Sequence, residues 1–172
     1  MNCSCGKPSE TAFKHLGPLC KECFIAVLQR RGRKALKDSG WLQAGQKVHL
    51  VDETTAQGKA ASRLFKDVIK GLPIHYVPAE QAAVLLVGKT ADDEAEDFLH
   101  KLFEGKLVEK PSAVNILANI TTEEIEQYCA FEGITGKFVE KSVLRAKLDE
   151  LEKRYSGTFF ALQKSQDSFR KE

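Results

Sequence analysis

Four cysteines stand in the first two dozen residues, as Cys3-Ser4-Cys5 and Cys20-Lys21-Glu22-Cys23, and the fifth, Cys129, lies far from them. No other feature constrains the chain as much. A metal gripped by both pairs closes residues 3–23 into a hairpin regardless of what the rest of the chain does. A thiolate quartet at this spacing points to structural zinc, with Cys3, Cys5, Cys20 and Cys23 as ligands. The first pair is Cys-x-Cys and the intervening loop is short, so coincidental cysteines or a degenerate finger stand as the alternative. His15 lies in that loop as a substitute ligand. Cys129 reads as a small buried apolar residue on a helix rather than a reactive thiol. The start of the chain, Met1-Asn2-Cys3, has no basic patch followed by an apolar stretch, and no apolar run approaches membrane-spanning length. A cytoplasmic protein with no membrane partner is expected, and in that compartment paired cysteines bind metal more than they form disulfides.

The segment after the quartet is strongly basic: Gln29-Arg30-Arg31-Gly32-Arg33-Lys34. The formal net charge of +2 hides a segregation, because residues 1–38 carry eight Lys/Arg against three Asp/Glu while residues 39–136 carry nine against fifteen. Residues 137–172 are again basic, nine against six, which reads as solvated surface. At the head, Lys21, Arg30, Arg31, Arg33 and Lys34 are candidate nucleic-acid contacts, since a metal knuckle presenting a basic helix suits a phosphate backbone. The plainer reading is the wet side of a helix. With 42% apolar and 29% charged residues the chain has the composition of a packed domain.

Periodicity predicts a helix over 22–37, with Phe24, Val27, Leu28 and Leu36 inward, weakened by Gly32 and ended by Ser39-Gly40. An α/β pattern follows: a strand over 47–51, a helix over 59–70, a strand over 74–77, and the apolar run Ala83-Val84-Leu85-Leu86-Val87, which reads as a strand buried on both faces. Thr90 caps a helix to Phe103, with Asp93 at the capping-box position and Ala95, Phe98, Leu99, Leu102 and Phe103 as its stripe. Only Pro78 to Ala82 separate the second and third strands. That is too short for a crossover between parallel neighbours, so either the two are not parallel neighbours or the chain is trimmed there. Thr121-Thr122-Glu123-Glu124 opens a helix through Phe131, with Ile125, Tyr128 and Cys129 inward. A further helix is predicted over 139–155 on Val143, Leu144, Leu148 and Leu151, and a terminal strand over 158–162.

These pieces, in this order, resemble the tRNA 2-thiolation proteins of the ATP-pyrophosphatase (PP-loop) superfamily. The segment Cys3–Cys5 through Leu19-Cys20-Lys21-Glu22-Cys23-Phe24 is similar to that family's N-terminal zinc module. Gly45-Gln46-Lys47-Val48-His49-Leu50-Val51 resembles its first core strand. Gly88-Lys89-Thr90-Ala91-Asp92-Asp93-Glu94-Ala95-Glu96 resembles its Gly-His-Thr-x-Asp-Asp-x-Ala-Glu motif, with Lys89 in place of histidine. Arg154-Tyr155-Ser156-Gly157 and Leu162-Gln163-Lys164-Ser165 look like its C-terminal end. The resemblance implies a reduced PP-loop (adenine nucleotide alpha hydrolase-like) parallel sheet with a zinc module before it and a mostly helical part after it. The expected divisions are 1–38, 45–110 and 111–172.

Active members of that family carry Ser-Gly-Gly-x-Asp-Ser after the first strand, where glycines and amides cradle the ATP pyrophosphate at a helix N-terminus. Here the stretch is Asp52-Glu53-Thr54-Thr55-Ala56-Gln57-Gly58-Lys59-Ala60-Ala61-Ser62. Two carboxylates enter where a polyphosphate belongs, and one like-charge pair at 4 Å in a partly dry cleft costs on the order of several kcal/mol. Gly58, Lys59, Ser62, Asp92 and Asp93 are therefore assigned to a degenerate nucleotide site with weak or no ATP binding. For Asp92 and Asp93 the choice is between acid/base or magnesium chemistry and helix capping, and without a phosphate loop opposite them capping is the stronger. The family's core cysteine pair has no counterpart, and one thiolate cannot hold a cluster. His49, His75 and His100 are scattered, and none is assigned a role in catalysis.

The resemblance is to the non-catalytic second subunit, the cytoplasmic tRNA 2-thiolation protein 2 family. It implies a pseudoenzyme that binds tRNA and a catalytic PP-loop partner in a heterodimer for wobble-uridine (U34) 2-thiolation. The alternatives are a minimal ATP-dependent tRNA thiolase with an unusual phosphate loop around Gly58-Lys59, and a zinc-dependent RNA-binding scaffold.

Overall fold

A computed structural model describes residues 1–40, 43–106 and 113–169, with backbone only at 167 and 169. The chain begins with a two-stranded antiparallel hairpin, β1 (Thr11–Phe13) and β2 (Gly17–Leu19), and then enters the long helix α1 (Lys21–Ser39). An α/β unit follows: β3 (Lys47–Leu50), α2 (Ala56–Val68), β4 (His75–Tyr76), β5 (Val84–Val87), α3 (Ala91–Phe103) and β6 (Val114–Asn115). Three helices complete it: α4 (Thr122–Glu132), α5 (Val143–Arg154) and α6 (Thr158–Phe169). The expected division between residues 110 and 111 lies outside the described residues.

The strands pair in the order β4-β3-β5-β6, all parallel. The chain leaves β3 toward β4 in one direction and β5 toward β6 in the other. Right-handed crossovers then put α2 and α3 on opposite faces of the sheet. α1 packs on α2, and α2 on α4, on one side; α3 packs on α5 and α6 on the other. The core is continuous from the hairpin through the sheet, joining Cys3, Phe13, Phe24, Leu64, Leu86, Ile116 and Tyr128 in one cluster. A smaller cluster of Ala91, Ala95, Leu148 and Phe159 lies under α3.

The short link between the second and third strands resolves in the first of the two ways anticipated. β4 and β5 flank β3 on opposite sides and never pair. The link is a single 3-10 turn, Ala79–Gln81, which packs on β3. The last strand expectation is overturned: residues 158–162 begin α6, not a strand. A short apolar run is ambiguous between the two, and here Phe159 is buried against α3. The stripes of two helices are narrower than predicted. Leu102 and Phe103 end α3 exposed, as do Val143 and Leu151 on α5, whereas Ala95, Phe98 and Leu148 are buried. The predicted helix over 59–70 starts three residues earlier, at Ala56, because Thr55 caps it by accepting the Gly58 amide. β5 is buried on alternate residues rather than fully on both faces.

Gly32 has a packing reason. A Cβ there would stand 3.2 Å from Ile116 Cγ1 and 3.5 Å from Leu64 Cδ2, so the missing side chain is what lets α1 lie close to α2 and the segment after β6.

Candidate functional site

The hairpin assembles the cysteine quartet from backbone geometry. The Cys3 amide donates to Lys7 O and the Gly6 amide to Cys3 O, and Gly6 takes the left-handed conformation that closes this turn. Cys20 is the N-cap of α1, and Cys23 lies in its first turn. The four sulfurs all lie within 4.8 Å of one another, and Cys5 Sγ is 3.6 Å from Cys20 Sγ. Cys3 and Cys20 are buried while Cys5 is exposed. Backbone amides of Cys5 and Cys20 draw the Cys3 thiol down to about 6. The thiols of Cys3, Cys20 and Cys5 push Cys23 up to about 12. Four sulfurs this close form a set that could hold a metal ion, which would favour their ionised forms. His15 is not part of it. Its Nε2 is 3.0 Å from Glu124 Oε1, which corrects its reading as a substitute ligand.

Glu124 is the hub beneath the hairpin. Its carboxylate is fully buried and accepts from Arg31 Nη1 at 2.8 and 3.0 Å, from the Thr121 amide at 2.9 Å, and from His15. Burial pushes its pKa up, but the His15 hydrogen bond and the Arg31 guanidinium outweigh that and hold it below the usual carboxylate value. Arg31 therefore turns inward, and it also donates to Asn119 O. Lys21 is likewise engaged, donating to Phe131 O at 2.5 Å and lying 3.7 Å from Glu132. Of the basic residues singled out from sequence, Arg30, Arg33 and Lys34 are exposed.

In open parallel sheets, ligands bind beyond the carboxyl ends of the strands where the winding direction reverses. Here that point lies past β3 and β5, and a crevice of about 410 Å³ occupies it. Five carboxylates line it, Asp52, Asp93, Glu96, Asp97 and Glu140, against Lys89, which is ion-paired to Asp97. The loop from β3 to α2 turns on Asp52, a non-glycine residue at φ 60°. Its Oδ1 accepts from the Thr54 amide at 3.3 Å and Thr54 Oγ1 at 2.6 Å, and its Oδ2 from Thr55 Oγ1 at 3.1 Å. These hydrogen bonds hold the Asp52 carboxyl below the ordinary range. An anion, the chain's own, already takes up donors ahead of the helix.

Of the residues assigned to a degenerate nucleotide site, Gly58 and Asp93 line the crevice, while Lys59, Ser62 and Asp92 are engaged elsewhere. Gly58 lies in the first turn of α2, where a Cβ would fall 1.5 Å from Asp52 O, so it serves close packing rather than an anion nest. Lys59 Nζ donates to Thr135 O, away from the crevice. Ser62 is buried and donates to Glu53. Asp93 lines the crevice, but its carboxylate caps α3 by accepting the Thr90 amide and hydroxyl, and it pairs with Arg145 Nη1 at 2.9 Å. Asp92 is buried against Arg145 and accepts the Thr122 amide that opens α4. The two aspartates thus tie α3, α4 and α5 together. Arg145 escaped the sequence reading because two of its partners, Asp93 and Asp92, lie 52 and 53 positions away. Asp52 had a local signal, an aspartate two residues before a threonine, the pattern of an Asx-turn.

A larger cleft of about 450 Å³ lies between the hairpin tip, α4, α5 and the start of α6, and charges of both signs line it. Among the described residues no helix is long and apolar enough to cross a membrane.

No protein-family model and no curated protein matches the sequence. Among solved structures the chain is similar to a U34-tRNA thiolase, NcsA from Methanococcus maripaludis, described with its 4Fe–4S cluster. The TM-score is 0.79 at 18% identity, covering 98% of this chain and 86% of that one. The likeness fixes the fold: an α/β architecture on a parallel sheet shared with that thiolase.

Proposed function

We propose that this chain is a non-catalytic, tRNA-binding subunit of a U34 2-thiolation system, working beside a catalytic PP-loop partner in the cytoplasm. The observation that carries the reading is the Asp52 carboxylate in the loop between β3 and α2. On a fold shared with a tRNA thiolase, this is where a polyphosphate would be gripped, and the loop's donors face an internal carboxylate. The acid-lined crevice argues in the same direction, since it disfavours a tetra-anionic nucleotide.

In this reading the quartet Cys3, Cys5, Cys20 and Cys23 holds one zinc ion rather than a cluster. Tetrahedral zinc with sulfur at about 2.3 Å needs sulfurs about 3.8 Å apart. The 3.6 Å pair and the 4.8 Å limit suit a single ion, whereas a cube of four irons spreads its thiolates wider. The role of the metal is structural. It pins the hairpin so that α1 leaves Cys20 in a fixed direction and presents Arg30, Arg33 and Lys34 to the tRNA backbone. Residues 1–38 then serve as the RNA-facing part, 45–110 as the vestigial nucleotide fold, and 111–172 as the helical part that supports the partner. Adenylation and sulfur transfer take place on that partner.

Titration of the purified protein with magnesium-ATP in a calorimeter tests the loss of the nucleotide site. No binding heat is expected up to millimolar nucleotide, and micromolar affinity overturns the reading. In the source cell, deletion should deplete 2-thiouridine from tRNA, and undiminished thiolation removes the protein from that pathway.

A further inference from the structure

We propose that α1 and α2 together form one RNA-binding face, in which Arg63, Lys66 and Lys70 contact phosphates as Arg30, Arg33, Lys34 and Lys37 do. The proposal deepens the tRNA-binding reading above and rests on it.

The sequence analysis found one basic stripe, and the structure places a second alongside it. From residue 30 to residue 37, every exposed side chain of α1 is cationic: Arg30, Arg33, Lys34 and Lys37. Their spacing of three and four keeps them on one side of the helix. On α2 the exposed side chains are Lys59, Arg63 and Lys66, all basic, and exposed Lys70 follows just past the end of the helix. The exposed positions of α2 are therefore all positive, with half-buried Asp67 the helix's single carboxylate beside them.

The stripes lie level with one another. Gly32 of α1 sits against Leu64 of α2. Beyond that point the connections leaving the two helices meet again, where the Gly45 amide donates to Pro73 O at 2.7 Å. Helices packed this way lie about 8–10 Å apart, so Arg30 to Lys37 run beside Arg63 to Lys70 as two rows. Three carboxylates enter this field: Asp38, Asp67 at 3.5 Å from Arg63, and Glu132, also 3.5 Å from Arg63. Seven cations outnumber them, leaving a positive face on a chain whose middle is otherwise acidic.

The chemistry selects RNA. A membrane-surface helix needs large apolar anchors beside its cations, and the exposed positions of these rows carry none. A double row of fixed cations instead matches a rigid backbone of regularly spaced phosphates. At the border of the α2 row stands Tyr76, half exposed, with Lys66 Nζ 5.6 Å from its ring centroid. Such a ring offers a stacking surface to an unpaired base next to the phosphate contacts.

The test uses the full-length protein, unfractionated tRNA, and anisotropy across a salt series. Arg63→Gln/Lys66→Gln/Lys70→Gln should weaken binding about tenfold or more near physiological salt, and lower the slope of log affinity against log salt by about two to three. Arg63 is ion-paired, so Lys66→Gln/Lys70→Gln serves as the variant that leaves every ion pair intact, with a slope change of about two. Arg63→Lys/Lys66→Arg/Lys70→Arg should bind like the wild type. If Arg30→Gln/Arg33→Gln/Lys34→Gln loses affinity while both α2 variants match the wild type, the second row is refuted and tRNA binding through α1 survives. If the wild type fails to bind tRNA at low salt, the functional reading and this inference fall together. Equal affinity for phosphatidylserine vesicles or poly-glutamate, lost in the same α2 variants, overturns RNA as the ligand.

Discussion

Glu124 does three jobs with one carboxylate. It closes the capping box of α4, neutralises Arg31 of α1, and receives the ring of His15 from the hairpin. Because its folded pKa lies below the ordinary 4.5, its contribution to stability is complete above that value and is lost as pH falls through the folded pKa. Glu124→Gln should cost about 2–3 kcal/mol at pH 7 in urea melts. It should also shrink the gap between stability at pH 7 and at pH 3.5, and an unchanged gap would show that Glu124 does not carry the acid sensitivity. Arg145 is the counterpart on the other side of the sheet, buried among Asp92, Asp93 and Asp149 with its guanidinium 5.6 Å from the Phe159 ring centroid. Arg145→Met leaves two aspartates facing each other without their cation and should destabilise by about 3–5 kcal/mol. A denaturation midpoint close to the wild type would mean that other donors satisfy those carboxylates. Neither hub was legible from the chain. The Thr90–Asp93 and Thr121–Glu124 caps were, because a cap is completed within four residues. The second partner of each carboxylate arrives from a distant helix, and nothing in its own neighbourhood announces it.

Whole elements were read well where local chemistry decides them. α3 and α4 have the predicted starts and α1 begins one residue earlier than predicted, since Cys20, Thr90 and Thr121 precede regular apolar repeats. α6 was misread because the apolar run at its start fits either period, and burial against α3 settles it. The hairpin belongs to the first group in one respect: the cysteine spacing implied it, though not that its tip would be clasped by Glu124. The element-scale prediction concerns that hairpin. Metal analysis should give about one zinc per chain, and Cys20→Ser should lose it. Without metal, residues 1–20 should gain fast amide exchange while the sheet keeps its protection, because β3, β5 and α2 are buried by contacts of their own. Zinc retained by Cys20→Ser would contradict the ligand assignment.

At the scale of the molecule, the reversal between β3 and β5 is where this fold offers a ligand site, and the stretch after the first strand, singled out from the sequence, runs beside it. What the sequence could not supply was the way the site is filled. Asp52 folds back onto Thr54 and Thr55, Gly58 admits the Asp52 carbonyl, and Gly88 lets the chain pass within 2.9 Å of Ala61 measured from its absent Cβ. The floor of the crevice is thus sealed by close packing as well as by charge. The abbreviated connection from β4 to β5 has its own consequence for assembly. With no crossover helix to outline it, the sheet ends on a strand of two residues, His75 and Tyr76. A margin so brief gives an incoming chain almost no amides or carbonyls to zip onto, which guards the monomer against fibre-like stacking. Along that margin a companion protein would find little backbone to pair with, and the broad helical flanks offer it a firmer hold.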